Sequence, residues 1–114
     1  MKAVALLAQA ESILTTRAAK GFSARMAAFL ARRALEEIID VRCISVDARA
    51  PRANTRSQLL ILRVLDDADA AGKAAVAWHR LSNACHVHAY ELQPSVAEIE
   101  QLCGVVARLI PADK

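Results

Sequence analysis

The sequence predicts an all-α fold, a mainly antiparallel helical bundle of four main helices plus a short C-terminal helix. Three observations predict it. Apolar residues recur at three- and four-residue spacing along most of the chain. Gly and Pro number only three each in 114 residues, too few for the tight turns of an all-β fold. Aromatic residues are 4% of the chain while alanine is abundant, so the core is expected to be closely approaching helices filled by aliphatic side chains. With 55% hydrophobic residues the chain is too apolar for disorder. Its length suits one domain, residues 1–114, with a core that needs no staples.

Residues 2–19 read as a first helix, with Val4, Leu7, Leu14 and Ala18 on one face and Glu11 among them. Leu6 and Ile13 form a second apolar line near the opposite side, which suits a helix that is sandwiched or shared with another chain. Lys20-Gly21 ends it, glycine suiting the left-handed position after a helix. The second helix, about 22–46, repeats Ala27, Leu30, Ala31, Ala34, Ile38 and Val41 at helical spacing. Arg25, Arg32, Glu36 and Asp40 line its other side and are expected to form a solvated face. Arg32/Glu36 and Arg33/Glu37 are i,i+4 pairs.

Residues 47–54 read as a loop because Pro51 forbids helix continuation and restricts Ala50 before it. With Arg42 and Arg56 this is the most basic part of the chain. Thr55-x-x-Gln58 has the form of a capping box and opens a third helix, 56–66. Asp66, Asp67 and Asp69 close it and cap the next, carboxylates being favourable at a helix N-terminus. The fourth helix, about 70–91, buries Ala74, Ala77, Trp78, Leu81, Ala84, Cys85 and His88 on one stripe. Ser95-x-x-Glu98 is a second capping box, opening a last helix of about 96–110 that turns Ile99, Leu102, Cys103, Val106 and Ile110 inward.

The net charge of +3 permits nucleic-acid contact without demanding it. Cys43, Cys85 and Cys103 are an odd number with no C-x-x-C spacing, which fits a reducing, cytoplasmic setting. The first ten residues faintly imitate a signal peptide, but the apolar run is short and passes into helical periodicity at Glu11. No apolar run approaches the roughly 20 residues needed to span a bilayer, so no membrane association is expected.

Chemistry-bearing residues concentrate between Trp78 and Glu91. This stretch holds all three histidines, the only Trp and the only Tyr. At about 100° per residue, His79, Asn83, His86 and Tyr90 fall within roughly 60° of one another, a polar line suited to an interface or a groove wall. Metal binding fits poorly. His79 and His86 are about 10 Å apart along the axis, and Cys85/His88 would supply only two ligands. Neither a metal nor a cofactor is expected. Nucleophilic catalysis by Cys85 fits no better, since the thiol falls on the buried stripe. General acid–base work on a phosphodiester is the better match. An imidazole titrates near neutrality, and an arginine is permanently charged with a fork of donors shaped for phosphate oxygens. Arg80 and His86 stand with five residues between them, and His88-Ala89-Tyr90 adds a His-x-Tyr.

An Ala-rich first helical pair, and an Arg followed by a His near the end of a late helix, make the chain resemble the HEPN superfamily. The resemblance implies a metal-independent ribonuclease of the toxin type, or a degenerate RNA-binding descendant, acting as a homodimer. It also implies a partner nucleotidyltransferase antitoxin that modifies the Tyr of the His-x-Tyr with AMP. Two alignments stand side by side. One pairs Arg80 with His86 but places Leu81 where the family commonly has a polar residue. The other matches His88-Ala89-Tyr90 and puts Asn83 where the Arg belongs. The implied site is therefore Arg80 on the phosphate, His86 or His88 as the acid–base group, and Asn83 and Tyr90 orienting it. A reading from a different class is a non-catalytic helical interaction or homodimerisation module, using the His/Asn/Tyr line and the Leu6/Ile13 line for association.

Overall fold

The computed structural model describes residues 2–15, 21–46, 54–86 and 95–111. Five helices account for almost all of them: α1 (Lys2–Thr15), α2 (Gly21–Val46), α3 (Thr55–Leu65), α4 (Ala68–Cys85) and α5 (Val96–Leu109). No strand occurs among the described residues. The all-α expectation holds. The short helix, however, is α3 with 11 residues; the C-terminal α5 has 14, the same as α1. No helix of the described residues is long and apolar enough to cross a membrane.

The helices close a ring in which α1 touches α2 and α5, and α4 touches the same two. Side-chain bonds give the directions. The backbone N of Lys2 donates to Glu37 Oε1 at 2.8 Å, so α1 starts beside the later half of α2. Arg25 reaches the last residue of α4, and Arg42 reaches the last residue of α5. Hence α4 runs against α2 while α5 runs with it. α2 and α5 still touch across the ring, whereas α1 and α4 stay apart. α3 lies against α2 and α4 only.

Small side chains make this possible. Ala24, Ala27, Ala28, Ala31 and Ala34 of α2 are all fully buried, alongside Leu35, Ile38, Ile39 and Cys43. One core cluster takes residues from all five helices. In α1 the buried line is Ala3, Leu7, Ala10 and Leu14, and Val4 lies at 54% exposure instead of in the stripe. Leu6 and Ile13 are partly buried and pack against the same core. They broaden one apolar face; they do not form an opposed second one. Ala18, expected on this stripe, lies outside the described residues.

Helix ends follow local chemistry. Asn54, not Thr55, caps α3, its Oδ1 accepting from Ser57 N at 2.9 Å. An amide oxygen one residue earlier satisfies the same orphan donors. Gln58 is thereby released from the expected capping box; it is buried and donates to Asp40 Oδ1 at 2.8 Å. Ser95 caps α5 as its sequence predicts, accepting from Glu98 N at 3.1 Å. The three aspartates at the junction of α3 and α4, the last of them in the first turn of α4, have separate employment. Asp66 pairs with Arg42 at 2.9 Å, Asp67 accepts from Asp69 N, and Asp69 pairs with Lys73 at 3.0 Å.

Three substitutions test this packing. Ala31→Leu forces three extra carbons into a fully closed contact and should cost about 1–3 kcal/mol in urea denaturation. Arg42→Ala removes a half-buried pair with Asp66 and a 3.0 Å bond to Leu109 O, and should cost about 2 kcal/mol. Lys73→Ala, which breaks an exposed pair, should cost under about 0.5 kcal/mol in the same assay.

Candidate functional site

α4 carries the residues singled out by sequence, and its start is well specified. Asp67 supplies the cap and Asp69 meets the positive end of the helix dipole. Ala71, Ala74, Ala77, Leu81 and Ala84 face the core. The helix ends at Cys85, well short of the expected residue 91. His86 is the C-cap, its N–H bonding Asn83 O at 3.1 Å. The last carbonyls of a helix need donors from elsewhere. Arg25 of α2 provides one, its Nη2 donating to Cys85 O at 3.3 Å. A cation from another helix thus does what a basic residue in the last turn of α4 would do.

A polar seam runs from this cap between α2 and α4. Trp78 Nε1 donates to Glu36 Oε2 at 3.3 Å, and Glu36 Oε2 lies 3.8 Å from Arg32 Nε. Arg32 Nη1 lies 3.5 Å from His86 Nε2. A guanidinium can only donate, so a hydrogen bond in this contact takes Nε2 as its acceptor. Arg32 Nε and Ser82 Oγ are buried without a hydrogen-bond partner among the described residues. The charged side of α2 is therefore not the solvated face expected of it. Arg25, Arg32, Glu36 and Asp40 are all partly buried and committed to α3 or α4.

The other candidates are placed as follows. His79 and Asn83 are exposed one turn apart on α4, with Asn83 Nδ2 3.4 Å from His79 Nε2. Arg80 is exposed on the α5 side of α4. It lines two grooves with Leu102 and Val105, of about 470 Å³ and 670 Å³. His86 lines neither. Six residues along a helix turn through about 240° beyond a full circle, so the two side chains diverge by roughly 120°. Within one chain Arg80 and His86 are not brought together. Arg32 and His86 are. His88 and Tyr90 lie outside the described residues.

Sequence reading missed Arg32 as the partner of the imidazole. A signal was present: Arg32 follows Ala28 by four residues and precedes Leu35 by three, both fully buried. That spacing puts it at the rim of a packed face.

The thiols are poor nucleophiles. Burial pushes the Cys85 thiol up, although Arg32 and Arg25 pull the other way. Cys43 is raised by burial, with Asp40 and Asp66 adding to it. Cys103 is pushed up to about 11, by burial first and then by Glu11 and Glu100. Among the described residues no three His, Cys, Asp or Glu side chains gather as metal ligands would. Set against known proteins, the chain matches no family model, no curated protein and no solved structure.

Cys103 makes a pH prediction. Its unfolded thiol ionises near the ordinary 9.0 and the folded one only near 11. Between those values the unfolded chain holds fewer protons, so stability present below pH 9 falls as pH rises. Urea denaturation from pH 8 to 11 should show a smaller decline for Cys103→Val than for the parent.

Proposed function

We propose that the chain is a HEPN-like helical domain that binds or cleaves RNA, with the phosphate received where α2 meets the end of α4. One observation carries the reading: the contact of Arg32 Nη1 with His86 Nε2 at 3.5 Å. It sets a permanent cation against a titratable imidazole, on two different helices, with the histidine exposed.

The chemistry follows from the donor inventory. A guanidinium that leaves Nε2 for two phosphate oxygens gains charge-assisted, bidentate bonds. The same movement frees the Nε2 lone pair. His86 then takes the proton of a ribose 2′-hydroxyl as that oxygen attacks phosphorus, the P–O5′ bond breaks with the 5′-oxygen taking a proton from water, and a 2′,3′-cyclic phosphate results. Arg32 holds the extra negative charge of the intermediate. Asn83, exposed one turn before His86, is a further donor for the strand.

Arg80 faces away from His86 and reaches this phosphate only from a second copy of the chain, through a homodimer built on α4. His88 and Tyr90 keep the roles the resemblance gives them, acid–base group and target of a nucleotidyltransferase partner. A second reading, a helical interaction module without chemistry, draws on the exposed row His79, Asn83 and His86 with Val76 beside it at 54% exposure.

A fluorophore-quencher RNA incubated with the protein in EDTA tests the proposal. Cleavage is expected, falling about 10²–10⁴-fold in His86→Ala and by a similar factor in Arg32→Ala. Arg80→Ala should match them only where sedimentation shows a dimer. If the parent neither cuts nor binds the RNA, the interaction module remains. If it cuts, and neither His86→Ala nor Arg32→Ala slows it, the site lies elsewhere.

A further inference from the structure

α3 has an outward face that the fold leaves bare. Its sequence, Thr-Arg-Ser-Gln-Leu-Leu-Ile-Leu-Arg-Val-Leu, holds six aliphatic residues in eleven, and they extend beyond the single face that packs on the core. Gln58 and Leu62 are buried and Leu59 and Ile61 pack partly on the core. Leu60 and Val64, one turn apart on the other side, are 64% and 79% exposed. Contiguous exposed aliphatic side chains of this kind mark contact surfaces, unlike a single exposed leucine.

Charge says what covers them. Arg56 and Arg63 are both exposed, and seven residues apart they stand on one flank of the Leu60/Val64 ridge. Neither holds an ion pair among the described residues. The helix has no acidic residue. The two carboxylates that follow it are engaged, Asp66 with Arg42 and Asp67 as the cap of α4. A second copy of this chain is a poor occupant. A two-fold antiparallel pairing on this ridge brings the same flank of each helix together, setting arginines against arginines. The complement is an apolar ridge with carboxylates along one side.

We propose that the outer face of α3 docks an acidic amphipathic helix of another protein, through Leu60 and Val64 with Arg56 and Arg63 paired to its carboxylates. The surface lies on a different helix from the Arg32–His86 contact, so its failure leaves the RNA reading untouched.

A pair of labelled synthetic peptides tests it. Both carry leucines at three- and four-residue spacing; one is flanked by glutamates and the other by lysines. Fluorescence anisotropy with the full chain should show saturable binding of the glutamate peptide and at least about tenfold weaker binding of the lysine peptide. Leu60→Ser/Val64→Ser and Arg56→Glu/Arg63→Glu should each weaken the glutamate peptide by about tenfold or more. Circular dichroism should be unchanged, because all four side chains are exposed. Equal binding of both peptides, no binding of either, or indifference to both double variants overturns the proposal. So does a sedimentation dimer that Leu60→Ser/Val64→Ser abolishes, since a second copy would then own the surface.

Discussion

The structure depends on the contact between α2 and α5 across the ring. In a four-helix ring of ordinary side chains, diagonal helices are held apart by the residues that fill the centre. Here α2 presents alanines at 24, 27, 28, 31 and 34, all without exposed surface. A methyl group keeps little beyond the backbone radius, so α2 and α5 meet. α1 and α4 are the pair that gives way. Close approach raises the number of dispersion contacts per residue without any aromatic filler, which is how a chain with 4% aromatics can close a core. It also spends no side-chain entropy, since alanine has none to lose.

A helix so embedded has narrow polar margins, and the margins do the fastening. Arg25 and Arg42, near opposite ends of α2, donate to the terminal carbonyls Cys85 O and Leu109 O. These are among the acceptors that a helix cannot satisfy internally. Each bond involves a charged donor and is worth more than a neutral one, about 1.5–3 kcal/mol before exposure is discounted. α2 therefore fixes both where α4 and α5 lie and where they stop. The neighbourhood of His86 results from this: the chain leaves α4 beside Arg25, and two turns further along the rim stands Arg32.

Legibility in the sequence divides along the same line. The bounds of α2, the serine cap of α5 and its inward residues Ile99, Leu102, Cys103 and Val106 were readable, because a cap and a stripe are properties of neighbouring residues. The cap of α3 slipped by one because Asn54 and Thr55 are both competent and only the fold chooses between them. The end of α4 was not readable at all. Apolar periodicity continues past Cys85 in the sequence, while the donor to its carbonyl comes from 60 residues away. The charges of α2 were misread for a related reason. Arg32/Glu36 has the spacing of a surface pair, and spacing does not reveal that Trp78 will cover it.

Holding a phosphate while taking the proton of the attacking hydroxyl requires a cation and a base to converge on one small group, from directions that leave room for it. Two residues six apart on one helix are about 9 Å apart along the axis and point roughly 120° apart. No rotamer choice makes such a pair converge on an oxygen between them without help from a second element. A late-helix Arg and His read from sequence are thus half a site at best, whichever spacing is preferred. The missing half comes either from another chain or from another helix of the same one. Arg32 is on another helix, already within 3.5 Å of the imidazole, and brought there by packing that the core requires in any case.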